Sequence, residues 1–379
     1  MRAIDLVSRV IRNPHSAADL SLGEWDLLVR QARYARLAAR IYHQLATYGE
    51  LEHVPTEVLR HLQSANAVAK RHAEALRWEV LQIQKALVRL GVPILLLKGA
   101  AYTMAGLPPA TGRLFVDVDV MVPKPALADA EKALNRHGWV IEGHDDYDQR
   151  YYRTWMHELP PMTHMRRQSV LDVHHTILPE TARLHPDPYK LIVDAVPVRD
   201  LDEIYVLAPV DMVLHSATHL FSDGELEHGL RDLVDLDALL RHFGAAEEFW
   251  GNLVARAQEM GLTRPLYYAL RYTSGILDTP VPEGILERAK GWGPNLGVSL
   301  LMDQLFLRAL RPTHPSCRDM FTGVARWMLY VRSHYLRMPF RLLIPHLFYK
   351  AFITPRKQKV AERESEEQTQ LADFMNQLK

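Results

Sequence analysis

The chain has 379 residues, long enough to bury a substantial core and to hold two or three domains. Its 45 basic and 45 acidic side chains cancel, so bulk charge argues neither for nor against nucleic acid, and 48% hydrophobic with 24% charged residues is ordinary soluble composition. The single cysteine, Cys317, excludes an intramolecular disulfide and a cysteine-based structural zinc site; MRAIDLVSRVIRNP has no long apolar region and no window offers the roughly 18 apolar residues of a spanning helix, so a cytoplasmic protein is expected.

Residues 1 to about 90 read as helical. From Trp25 to Ile41 apolar residues recur three and four apart. Pro55, Thr56 and Glu57 fit the first turn of a long amphipathic helix that reaches Leu90 and is stopped by Gly91 and Pro93. A stripe of this kind is expected to be a core face, which makes the helix scaffold.

The character changes from residue 92 to about 178. Short apolar runs (Ile94–Leu97, Phe115–Val122, Trp139–Ile141, Tyr151–Met156 and Val170–Val173) alternate with turn-rich or helix-like pieces, including a helix from Pro125 to Leu134 closed by Gly138. The order β-turn-β-α-β predicts a small mixed sheet backed by helices, with Pro160-Pro161 as the turn joining the last two strands. From Ala208 the pattern returns to helix, with Pro209 opening one that carries His215 and His219, and Gly229–Leu240 forming another that carries Asp235.

The chemistry sits in Ile94 to Val122. Asp117 and Asp119 are two apart in a strand, so both project from one face while Val116, Val118 and Val120 face the core. Two like charges at that spacing require a cation or a raised pKa. Asp172 and His174 share one face of a later strand and supply a third carboxylate and an imidazole. Three oxygen ligands suit Mg²⁺, which binds substrate phosphates together with a few carboxylates. His174 can orient a metal ligand or act as a base. Lys98-Gly99 ends a strand and opens a short helix, where the glycine lets backbone approach a phosphate and the lysine adds a point charge; Arg113 is a second cation for a triphosphate. His215 and His219 lie on one helix face, either as a metal pair or as core or surface residues. Asp235 can hold one of these histidines or a basic residue, or belong to a solvated face.

This set of pieces, strand–Lys98-Gly99–helix, then Arg113-x-x-x-Asp117-x-Asp119, then a distant Asp172-x-His174, resembles the DNA polymerase β-type nucleotidyltransferase superfamily. Within it the chain is most similar to bacterial uncharacterised nucleotidyltransferase-family proteins, often associated with exopolysaccharide or peptide-modification gene clusters. The resemblance covers roughly residues 20 to 240. It implies two Mg²⁺ ions on Asp117, Asp119 and Asp172, with Lys98, Gly99 and Arg113 near the triphosphate of an NTP, ATP being the expected one, and with His215, His219 and Asp235 as candidates to line the cleft. One departure is that the usual Gly-Ser at the strand exit is here Lys98-Gly99-Ala100-Ala101, without the serine hydroxyl.

The expected fold class is therefore α+β: N-terminal helices (1–90), a nucleotidyltransferase core with a small mixed sheet (91–205), a C-terminal helical domain (206–355) and a polar tail (356–379). The expected activity is transfer of a nucleoside monophosphate to an acceptor left open among small molecule, sugar, peptide, protein and RNA. Phosphotransfer on the same site, or a non-catalytic scaffold, are the alternatives. The stretch 311–359 holds ten Lys/Arg against one acid, Asp319, with interleaved aromatics. It reads either as helices packed on the core, or as a surface that binds nucleic acid or docks on an anionic membrane, the last making the protein membrane-peripheral.

Overall fold

The computed structural model describes residues 5–141, 152–222, 224 and 226–339. Seven strands form one mixed sheet in the order β3-β4-β5-β2-β1-β7-β6. They are β1 (Ile94–Leu96), β2 (Asp117–Met121), β3 (Trp139–Ile141), β4 (Met162–His164), β5 (Val170–His174), β6 (Val196–Pro197) and β7 (Ile204–Val206). Helices pack around this sheet and share one contiguous apolar core with it, so the fold class is α+β.

β1 is central and buried throughout, antiparallel to β2 and parallel to β7. Its three consecutive apolar side chains suit a strand covered on both faces. β7 is only three residues long and was not expected; it is recruited because β1 has an open parallel edge, and Ile204 and Val206 bury against the core. β2 pairs in parallel with β5, and β5 in antiparallel with β4.

The apolar run Tyr151–Met156 does not form the expected strand. Tyr151 lies outside the described residues and 152–155 are helical. The hairpin partner of β5 is instead Met162–His164, so Pro160-Pro161 precede β4, and the turn falls at 165–169. Proline supplies no N–H to a ladder, which keeps this pair out of the sheet interior.

Helices α1 (Leu6–Arg12), α2 (Leu22–Tyr34) and α3 (Ala38–Thr47) precede α4 (Thr56–Leu87). The stretch Trp25–Ile41 is thus two helices. Arg36 adopts φ 55° between them, and Leu37 N–H donates to Ala32 O, which ends α2 and redirects α3. α4 buries Val58, Leu62, Leu76, Val80, Ile83 and Leu87 as one stripe, at helical spacing. It is pinned to the sheet by Glu79, which accepts from Arg167 (Nη2 to Oε1, 2.7 Å) and from Ser169 (2.8 Å).

Beyond α5 (Lys98–Met104), α6 (Leu127–Arg136) and α7 (Pro188–Val193) come α8 (Pro209–Ser222), α9 (Gly229–Phe243), α10 (Phe249–Glu259), α11 (Thr263–Leu277), α12 (Glu283–Lys290), α13 (Leu296–Ala309) and α14 (Thr322–Arg337). No helix among the described residues is long and apolar enough to cross a membrane. In the basic stretch, Arg332 donates to Phe221 O (2.7 Å) and lies over the Tyr268 and Phe306 rings, so that cation is spent on packing α14. Trp327, by contrast, is 65% exposed. Residues 340–359 of that stretch and the polar tail lie outside the described residues.

Candidate active site

The parallel register of β2 and β5 sets Asp119 directly beside Asp172, with Asp117 opposite Val170. Strand alternation then puts Asp117, Asp119 and Asp172 on one face of the sheet. Val118 and Val120 are buried on the other face, while Val116, expected to face the core, is 61% exposed because β2 begins only at Asp117. Asp119 is buried and Asp117 lies at the exposed end of the row.

The chain supplies cations to this row unevenly. Lys98 Nζ donates to Asp119 Oδ1 at 2.7 Å, and His174 Nε2 lies 3.1 Å from the same oxygen. Burial acts to raise the Asp119 pKa, but Lys98 and His174 hold it well below the usual carboxylate range. Burial likewise opposes charge on Lys98, and Asp119 outweighs it, so the ammonium titrates above its ordinary range. Asp172 has no such partner: its Oδ1 is buried without a hydrogen-bond partner among the described residues. Burial, then Asp119 and Glu158, push its carboxyl up to about 7. Burial and Asp119 also raise Asp117.

Three carboxylates on one face, one with an orphaned buried oxygen, make a donor set that fits a hard divalent cation such as Mg²⁺. A cation there would relieve the like-charge crowding that raises Asp117 and Asp172.

Lys98 occupies the first position of α5 with φ 43°, a left-handed conformation uncommon for a side chain of this kind. Such positions persist where surrounding structure over-determines them; here the ion pair to Asp119 does so. Gly99 follows, and packing by itself requires a glycine there. A Cβ there would lie 2.8 Å from Phe115 Cδ1 and 3.1 Å from Arg113 Nε, so glycine lets α5 pack against the segment leading into β2.

Arg113 is largely buried at its side chain and turned to Asp235, with which it forms an ion pair; its guanidinium lies 5.6 Å from the Tyr102 ring centre. Burial first, and then Arg231, lower its pKa to about 10. Asp235 thus holds a basic residue, and a second one as well, since Arg40 Nη2 lies 3.3 Å away. α8 brings His215 within range of the charges of Lys98, His174 and Asp119. His215 is buried, and burial followed by the Lys98 ammonium holds its imidazole well below the usual range, hence neutral. His219, one turn on, sits near Asp232, whose carboxylate stays ionised against burial because of Arg231, Arg113 and His219. The predicted residues therefore fall into two adjoining clusters. Asp117, Asp119, Asp172, His174 and Lys98 make the row, with His215 in range of its charges, while Arg113, Asp235 and His219 belong to an adjoining ionic cluster from which Arg113 still acts on Asp117.

Two residues at the row were not found from sequence. Glu158 Oε2 lies 3.2 Å from His174 Nδ1, and His157 Nε2 lies 3.9 Å from the same oxygen. Both sit in an irregular segment with no strand alternation to mark them. Glu158 reaches the site through an isolated antiparallel bridge to His174. Burial works against charge on His174, but Glu158 and Asp119 on its two sides raise its pKa.

Residues 21–278 match the family model described as "Uncharacterised nucleotidyltransferase". No curated protein and no solved structure matches the chain.

Proposed function

Because this chain belongs to the uncharacterised nucleotidyltransferase family, and is by that membership a transferase, we propose that it moves a nucleoside monophosphate from an NTP, ATP foremost, to an acceptor hydroxyl at the β2–β5 carboxylate row. The observation that carries this reading is the register Asp119–Asp172, with Asp117 two residues along the same face and Asp172 Oδ1 without a protein partner.

Asp117, Asp119 and Asp172 would hold Mg²⁺, which supplies Lewis-acid stabilisation of the charge that develops on the transferred phosphoryl group and the departing pyrophosphate. Lys98 keeps Asp119 ionised and places its positive charge at the row, where a phosphate chain would approach. His174 stands between Asp119 and Glu158 and fixes the Asp119 carboxylate in one orientation. Asp172, whose Oδ1 has no protein partner, is the carboxylate of the row left open to such a cation. Neutral His215, on α8, helps exclude water from the buried end of the row. Arg113 works indirectly, through Asp235, by holding the segment that enters β2.

The test is incubation of the full chain with α- or γ-labelled ATP, Mg²⁺ and cell extract as the source of acceptors. Incorporation of α-label, abolished by Asp117→Asn and by Asp172→Asn in folded protein, is the expected result. Label from the γ position alone would assign phosphotransfer instead. Incorporation unchanged in Asp117→Asn/Asp119→Asn protein would overturn the site.

A further inference from the structure

At the end of the row away from Asp117, a second donor set stands that the transfer reading does not require. The Glu158 carboxylate and one nitrogen each of His157 and His174 lie within 4.8 Å of one another. We propose that His157, Glu158 and His174 bind a first-row transition-metal ion, Zn²⁺ foremost, at a site separate from the Mg²⁺-type carboxylate row.

Donor chemistry carries the distinction. Two imidazoles and one carboxylate suit Zn²⁺ and its neighbours, whereas Mg²⁺ prefers oxygen and demands near-octahedral geometry. Zn²⁺ ligand bonds of about 2.0–2.2 Å place tetrahedral donors about 3.4 Å apart. The separations found are 3.2 Å between His174 Nδ1 and Glu158 Oε2 and 3.9 Å between His157 Nε2 and the same oxygen. The two imidazole nitrogens lie within 4.8 Å of each other, so side-chain rotations that move donors by about an ångström close the set around an ion. A buried polar atom without a partner calls for a physical cause, such as an ion or a water. His174 Nδ1, the nitrogen that faces Glu158, is buried and makes no hydrogen bond among the described residues.

The set is also held in place. His175 N–H donates to His157 O (2.8 Å), and Leu159 N–H donates to Val173 O (2.9 Å), so the segment 157–159 is laced along β5 by main-chain bonds. With Nδ1 of His174 directed at the ion, its Nε2–H donates to Asp119 Oδ1, 3.1 Å away. This is the carboxylate–histidine–metal arrangement in which a second carboxylate fixes tautomer and ring orientation. The ion would clamp the segment to β5 and, through His174, position Asp119. Its role is thus structural and positioning, and it stands whether or not the row transfers nucleotides.

The experiment uses the full chain, stripped with EDTA and dialysed. Zn²⁺ is titrated in competition with a chromophoric chelator, with and without millimolar Mg²⁺, and Co²⁺ is added separately to follow its visible d–d absorption. One equivalent is expected with a sub-micromolar Kd, undisplaced by Mg²⁺. His157→Ala and Glu158→Gln, checked for folding by circular dichroism, are each expected to weaken binding about 100-fold or more, and Asp117→Asn to leave it intact. Absence of a tight equivalent and of a Co²⁺ band in wild-type protein would overturn the site. So would full Zn²⁺ affinity in both folded variants, since the ion would then lie elsewhere. Should either variant fail to fold, the Co²⁺ spectrum of the wild type decides, because an intense low-coordinate band needs a closed nitrogen-containing site. Loss of binding in Asp117→Asn as well would merge the two sites and also overturn the proposal.

Discussion

Asp119 and Asp172 are register partners on adjacent parallel strands, yet the chain gives a lysine to one and leaves an oxygen of the other unpaired. That asymmetry has a pH signature. Without a cation the folded Asp172 carboxyl titrates at about 7, through burial and then its acidic neighbours, while in the unfolded chain it titrates at about 3.9. Between those values the native state holds a proton that the unfolded state has lost. The associated stability is complete below pH ~4 and disappears as pH rises through ~7. Asp172→Asn should therefore raise stability at pH 8 by on the order of 2–4 kcal/mol and flatten the pH 4–7 slope. Urea unfolding in EDTA at several pH values measures both. Millimolar Mg²⁺ should reduce the difference between wild type and variant.

Lys98 should behave in the opposite way. Its ammonium is mostly buried and neutralises Asp119, so Lys98→Met leaves a buried carboxylate supported by His174 alone. Removal of one partner from such a pair costs roughly 3–5 kcal/mol when fully buried, and somewhat less here. The double variant Lys98→Met/Asp119→Asn should recover part of that loss in urea unfolding, whereas transfer activity should stay abolished. A double variant no more stable than Lys98→Met would show that the pair is not the cause.

Two glycines with similar backbone geometry should differ sharply. Gly106 has φ 66° and open space around its Cα, so Gly106→Ala should cost roughly 1–2 kcal/mol for the left-handed backbone alone. Gly112 has φ 70°, and a Cβ would lie 2.7 Å from both Ala39 C and Arg40 N. Those are main-chain atoms of α3 that cannot swing away. Gly112→Ala should cost roughly 3 kcal/mol or more and lower Tm by several degrees beyond Gly106→Ala.

Arg40 joins the same contact. It donates to Pro108 O at 2.8 Å, to Pro109 O at 2.5 Å and to Asp235, tying α3 to the loop before β2 and to α9. Arg40→Met should destabilise by roughly 3 kcal/mol, since three acceptors lose a buried charged donor. Combined with Gly112→Ala the two effects should fall short of additivity, because both release one interface. Additive losses in thermal unfolding would place them in independent contacts.

Much of this site was legible from local pattern. Alternation around Asp117 and Asp119, and around Asp172 and His174, fixed which side chains share a strand face, because that depends only on the two-residue period of a strand. The helix starts at Thr56, just after Pro55, and at Pro209 follow from proline chemistry, which is equally local. Glu158 and His157 were invisible. They lie in a segment without period and reach the row only through a bridge to His174, sixteen positions on. The same holds for β7, whose three residues become a strand because β1 offers an edge, and for Val116, exposed because the strand starts one residue later.

Lys98-Gly99-Ala100 and Val116-Asp117-Val118-Asp119, then, determined by themselves that two carboxylates would share a face near a lysine at a helix start. Short-range sterics and strand periodicity suffice for that. Tertiary structure decided which charge meets which. It gave Lys98 to Asp119, gave Arg113 to Asp235, set Phe115 against Gly99 and left Asp172 with a carboxyl near neutrality. The physical reason is that pKa and ion pairing depend on burial and on charges brought close from distant parts of the chain. No spacing along the sequence encodes those distances.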